Sequence, residues 1–244
     1  MPADLIQVPY INREQILMVD RVMVEELHIT LSQMMENAGH HLAKLARTRF
    51  LDGNPVGKKV VILTGKGGNG GGAMVSARHL QNWGAEVTVV LGFPKNELSI
   101  GPAMQLHILQ QIHVPVLQAE EVDSLTEMDL IIDGLLGYGL TGSPQGLPAD
   151  LISWANKQDV PVLSLDIPAG VDASTGEVRP PAVKATATMT LALPKEGLRA
   201  EQALGNVGEL YLADIGVPPS VYEKPELQVK VGPLFAEDDI LRVR

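Results

Sequence analysis

Apolar residues recur through the N-terminal part of the chain at helical spacing. After Asn12 they fall at Ile16, Val19, Met23 and Leu27, and after Thr30 at Leu31, Met34, Met35, Ala38, Leu42 and Leu45. Steps of three and four residues place such a set on one face of a helix. Asn12 with Gln15, and Thr30 with Gln33, have the spacing of a capping box, in which side chains and backbone amides satisfy each other at a helix start. Two N-terminal helices are predicted. From residue 59 the pattern changes to short, continuous apolar runs: KVVILT (59–64), EVTVVL (86–91), VPVL (114–117), DLIID (129–133) and PVLSLD (161–166). Helical stretches at about 71–83, Ala103–Ile112 and Ala149–Lys157 alternate with them. ATMTLAL (187–193), ELYLAD (209–214) and LQVKV (227–231) add three further strands.

Strands that are apolar on both sides belong to a parallel sheet with helices on both faces. The predicted class is therefore α/β, a three-layer α/β/α sandwich with a mostly parallel central sheet and right-handed crossovers. No repeat, low-complexity tract or separating linker interrupts the pattern. Residues 1–244 read as one domain, with the helices of residues 1–50 packed on the sheet.

Composition narrows the function more than the fold. The 244 residues are 45% hydrophobic and 20% charged, ordinary for a globular protein, with a net charge of −10 that repels nucleic acid. Lys44, Arg47, Arg49, Lys58, Lys59 and Lys66 fall close together, but apolar residues and glycines separate them, and they read as a solvated helix face and strand edge. The absence of cysteine excludes disulfides, thiolate catalysis and zinc–sulfur sites. The six histidines have no metal-ligand spacing, and no serine–histidine–aspartate order stands out. MPADLIQVPYINREQ lacks the basic and apolar regions of a signal peptide. No apolar run approaches the roughly 20 residues that span a bilayer. A cytoplasmic protein that binds neither membrane nor nucleic acid is expected.

The informative residues follow the strands, where ligands bind in open α/β sheets. After the first strand comes Gly65-Lys66-Gly67-Gly68-Asn69-Gly70-Gly71-Gly72. Glycines admit an anion close to backbone amides, and the helix start behind them adds partial positive charge. Gly65, Gly67 and Gly70 satisfy the dinucleotide fingerprint, but that motif asks for an acid at the end of the second strand. That strand ends Leu91-Gly92-Phe93-Pro94, so a hydride-transfer site is not supported. Asp133 and Asp166 each close an apolar strand, where a carboxylate needs donors or a cation. Asp172, with Thr175-Gly176, reads as turn chemistry. Lys195, in Leu193-Pro194-Lys195-Glu196, reads as a surface residue.

Five motifs in register resemble the NAD(P)H-hydrate epimerase family, that of the YjeF N-terminal domain. They are Met35-Glu36-Asn37-Ala38-Gly39, the glycine segment with Ala77-Arg78-His79-Leu80, Asp133 through Leu140, Asp166 through Asp172, and Pro194-Lys195. The resemblance implies a Rossmann-like sandwich, often dimeric, that interconverts the R and S epimers of hydrated NAD(P)H (NADHX and NADPHX). NAD(P) would then be part of the substrate and not a redox partner. It also implies that Gly68, Asn69, Gly70, Gly71 and Gly72 line the substrate. So would Gly137, Tyr138, Gly139, Leu140, Thr141, Gly142 and Ser143. Asp166 would contact it as general acid/base. Asn69, Asp133 and Ala169 would hold a potassium ion, for which oxygen ligands suit. The family's companion kinase-like dehydratase domain would need a longer chain, which leaves a separate dehydratase as partner. Where the family usually has Asn-Asn-Gly-Gly-Asp-Gly, this chain has Gly68-Asn69-Gly70-Gly71-Gly72-Ala73; Ala169 and Thr186 replace a common Ser and Asp. These departures keep a second reading open: a catalytically inactive nucleotide-binding or scaffold module on the same fold, resembling the domain of enhancer-of-decapping proteins.

Overall fold

The computed structural model describes residues 7–139 and 142–244. Both capping boxes form. The Asn12 side chain accepts from the Gln15 amide at 2.9 Å and Gln15 Oε1 accepts from the Asn12 amide at 2.9 Å, and Thr30 and Gln33 repeat the exchange. They start helices α1 (Arg13–Arg21) and α2 (Leu31–Leu45). There follow β1 (Lys59–Thr64), α3 (Gly68–Asn82), β2 (Glu86–Leu91), α4 (Ile100–Gln111), β3 (Val116–Gln118), β4 (Leu130–Gly134) and α5 (Leu147–Ala155). β5 (Val162–Leu165), β6 (Ala187–Leu191), β7 (Glu209–Ala213) and β8 (Ile240–Arg242) complete the sheet.

The sheet has eight strands in the order β3-β2-β1-β4-β5-β6-β7-β8. All neighbours pair in parallel except β7 and β8, which are antiparallel. Both faces are buried, as the continuous apolar strands require. Val60 and Ile62 join a core with α2, α3 and α4, while Val61 and Leu63 join Leu151, Ile152 and Trp154 of α5 on the other side. α1 packs mainly in a third cluster with Leu212, Ile215, Val221 and Leu227 from the C-terminal part.

Two expectations about elements fail here. LQVKV (227–231) is not a strand; it lies in a turn and extended chain, and the last strand is Ile240–Arg242. The short run is apolar because Leu227, Val229 and Val231 pack into the cluster that also holds Ile16 and Val19 of α1, a role that alternation alone does not distinguish from strand pairing. The helix expected near residue 71 starts instead at Gly68.

Candidate functional site

The early start of α3 turns the glycine segment from a loop into the first turn of a helix. Glycine costs about 1 kcal/mol relative to alanine in a helix interior, so nothing local favours this. Packing does. A Cβ at Gly70 would overlap the Gly65 carbonyl, one at Gly71 would lie 2.5 Å from Met35 Sδ, and one at Gly72 would lie 3.0 Å from Leu165 Cδ2. Glycine lets the turn sit this close to β5 and α2. The amide of Gly71 is bonded to the Gly67 carbonyl at 3.1 Å. The amides of residues 68, 69 and 70 precede it, where a helix supplies no acceptor, and they present an anion site reinforced by the helix dipole.

Asn69 ties this turn to the strand ends. Its amide nitrogen donates to the carbonyls of Leu136 and Leu165, both at 3.1 Å, just beyond β4 and at the end of β5. Its Oδ1 accepts no hydrogen bond among the described residues. Asp133, the fourth residue of β4, is fully buried. It accepts from the Leu135 amide (3.1 Å), the Ser164 hydroxyl (2.8 Å) and the Ala169 amide (2.9 Å). Burial raises its pKa, and these three neutral donors only partly offset that. Among the described residues no cation pairs with it. The Ala169 carbonyl accepts from the Val183 amide at 2.8 Å and keeps one lone pair.

Asp166 follows β5 in a left-handed conformation, φ +64°, uncommon outside glycine and asparagine. Its carboxylate pairs with Lys195, and the lysine is no surface residue: only 2% of it is exposed, against 5% of Asp166. Lys195 Nζ donates to Asp166 Oδ1, to the Leu191 carbonyl at 2.8 Å and to the Thr190 hydroxyl at 3.3 Å, one acceptor for each ammonium proton. The chain turns back at Ala192 (φ +61°), and Ile11 bonds to both neighbours of Lys195, fixing its stem. Fully buried lysines are rare unless paired, and this partner comes from another strand 29 residues earlier. Asp166 Oδ1 also accepts two long bonds, from the Thr190 hydroxyl and the Leu191 amide at 3.4 Å. Oδ2 accepts none among the described residues, so one carboxylate oxygen stays available to a ligand.

Gly137 lies against the Asn69 side chain, and Gly139, Gly142 and Ser143 are exposed beyond it. Leu140 and Thr141 fall outside the described residues. Tyr138 turns inward and its hydroxyl donates to Asp20 Oδ2 of α1 at 2.6 Å. Burial raises the Asp20 pKa, partly countered by the Tyr138 bond and the positive charge of Lys195. Asp20 was not singled out in the sequence; its one signal is a carboxylate directly beside the apolar stripe of α1. Asp172 accepts from the Ser174 and Thr175 amides at 2.9 Å, as a turn residue does. The basic residues near α2 and β1 are mostly paired with acids, Lys44 with Asp238 and Asp239, Arg49 with Glu209 and Lys59 with Glu127.

Residues 31–197 match the family described as YjeF-related protein N-terminus. The chain belongs to the YjeF N-terminal family. An NAD(P)H-hydrate epimerase of Dehalogenimonas lykanthroporepellens is 40% identical over 222 residues, covering 89% of this chain and 86% of that protein. One from Plasmodium vivax is 34% identical over 241 residues, covering 97% and 78%. The bifunctional NAD(P)H-hydrate repair enzyme Nnr of Salinibacter ruber is 36% identical over 84% of this chain, which spans only 40% of that longer protein. The crystal structure of yeast YNL200c shares the fold with a TM-score of 0.79 at 22% identity, over 96% of this chain and all of that one. In this YjeF-family chain the glycine-bearing turn, Asp133, Asp166 and Lys195 therefore stand together at the carboxyl ends of β1, β4, β5 and β6. No helix among the described residues is long and apolar enough to cross a membrane.

Proposed function

We propose that the chain epimerises hydrated NAD(P)H, interconverting its R and S forms. The observation that carries this reading is the buried Asp166–Lys195 pair, with one free carboxylate oxygen, beside a helix start open to phosphates. Reduced nicotinamide is an enamine, so hydration protonates a carbon and adds water to the iminium carbon next to nitrogen. Inversion there needs a proton on the hydroxyl, its loss as water, and attack on the opposite face of the planar cation by a second water, whose oxygen then gives up a proton. Asp166 Oδ2 is the group that exchanges these protons. Lys195 holds the other oxygen and offsets the carboxylate charge. The free amides of residues 68–70 hold the pyrophosphate, and the segment from Gly137 to Ser143 covers the substrate.

Asn69 Oδ1, the Asp133 carboxylate and the Ala169 carbonyl suit a potassium ion in kind, being oxygen donors, and among the described residues no cation pairs with the buried Asp133. Such an ion, when bound, supplies compensating charge that fixes these strand ends. The same reading makes the protein a cytoplasmic homodimer that works alongside a hydrate dehydratase. Two familiar residues of the glycine turn are missing, yet Asp166, Asp133 and Asn69 remain and keep their partners, which favours an enzyme over an inactive module. The test mixes the protein with purified R-NADHX in potassium buffer and follows the S form. Rapid conversion that disappears in Asp166→Asn is expected, whereas conversion at the spontaneous rate refutes the reading.

A further inference from the structure

The sheet reverses its strand order at β1, which has β2 on one side and β4 on the other. Ligands of open α/β sheets lie across the carboxyl ends at such a point. If the reacting ring stands by Asp166 and Lys195, beyond β5 and β6, and the phosphates meet the start of α3, beyond β1, the second nucleoside lies beyond β2. The segment there is Gly92 to Ser99, docked on the glycine turn through the Ser99 amide and the Lys66 carbonyl (3.0 Å) and the Gly92 amide and the Thr64 carbonyl (2.9 Å). Three side chains meet in it. Lys66 Nζ is 3.1 Å from Glu97 Oε2 and 4.8 Å from the centre of the Phe93 ring. Lys66 and Glu97 are about half exposed, 51% and 47%, and so open to a ligand.

We propose that Lys66, Phe93 and Glu97 form the subsite for the adenosine ribose, and that Glu97 biases it toward a free 2′-hydroxyl over a 2′-phosphate. The inference rests on the epimerase reading for its substrate. In dinucleotide folds an acid near the end of the second strand accepts from the ribose hydroxyls. β2 ends without one, but the Lys95–Glu97 turn that follows it is tied back to the residue after Gly65 through the Ser99–Lys66 backbone bond and the Lys66–Glu97 pair, which holds a carboxylate on this side of the glycine turn. Lys66 is the only cation in contact with Glu97 among the described residues. While the pair holds, Glu97 neutralises the charge that would attract a phosphate. An exposed ion pair of this kind contributes little to folding, so its chemistry rather than its stability is what substitution reads.

Glu97→Gln and Lys66→Gln test it by two measurements. One is kcat/KM for NADHX and NADPHX; the other is calorimetric binding of ADP-ribose and its 2′-phosphate, which needs no turnover. Glu97→Gln is expected to shift the preference toward the phosphorylated ligand by about tenfold, the effect of one unit charge near a phosphate dianion in water. Lys66→Gln is expected to shift it the other way by a similar factor. Preferences unchanged within about twofold in both variants overturn the subsite and leave the epimerase reading standing. Failure of the wild-type protein to bind either ADP-ribose ligand also overturns it. Binding that shifts as expected, in a protein that turns over neither hydrate, upholds the subsite and sinks the epimerase reading instead.

Discussion

Replacing Lys195 by methionine keeps most of the length of the side chain and removes its charge. In the wild type the ammonium has three acceptors, and Asp166 is 5% exposed. The variant leaves that carboxylate with only the two bonds of 3.4 Å from Thr190 and Leu191. Breaking a buried ion pair by removing one partner typically costs about 3–5 kcal/mol, because the remaining charge is desolvated and uncompensated. For a chain of this size, 1 kcal/mol moves the melting temperature by about 2–4 °C, so a fall of roughly 6–20 °C is expected. Urea unfolding should show the loss as a lower midpoint with an unchanged slope. Asp166→Asn in the same background should restore much of it, since the uncharged amide removes the uncompensated carboxylate and tolerates the left-handed backbone at this position. Lys58→Gln is the control: its ion pairs at 3.8 and 3.9 Å are partly exposed, and its loss should stay within about 0.5 kcal/mol. A Lys195→Met protein that loses less than about 1 kcal/mol would refute the buried pair and the positioning of Asp166 argued from it.

Tyr138→Phe removes the donor of the 2.6 Å bond between loop and α1 and should cost about 1–2 kcal/mol in denaturant unfolding. Because burial raises the Asp20 pKa, its ionisation opposes folding. The stability of wild type relative to Asp20→Asn should thus be greatest below the unfolded pKa near about 3.9, falling as pH rises through the raised one; a rise over that window contradicts the assignment. Restoring family residues should split by position. Gly68→Asn meets open space and should leave the melting temperature within about 2 °C, while Gly72→Asp crowds Leu165 and buries a carboxylate, costing about 1–3 kcal/mol by thermal unfolding. Thr30→Ala removes one half of a capping box and should cost about 1 kcal/mol, read by urea midpoint.

What the sequence determined by itself was whatever depends on neighbours along the chain. The capping boxes at Asn12 and Thr30 form because donors and acceptors three residues apart meet in any helix. The continuous apolar runs from β1 to β7 made the parallel, doubly covered sheet legible, since both faces of each strand need cover. Asp133 and Asp166 stood out because a carboxylate at the end of an apolar strand demands partners. The tertiary structure decided who those partners are. Lys195 reads as a surface lysine until β6 is laid beside β5 and its ammonium meets Asp166. Asp20 is one helix residue among many until Tyr138 arrives from a loop 118 positions away. The glycine segment becomes helix because Gly65, Met35 and Leu165 crowd it, overriding a poor local propensity. Periodicity encodes which side of an element is buried, but not what lies opposite, and the chemistry of this site comes from what lies opposite.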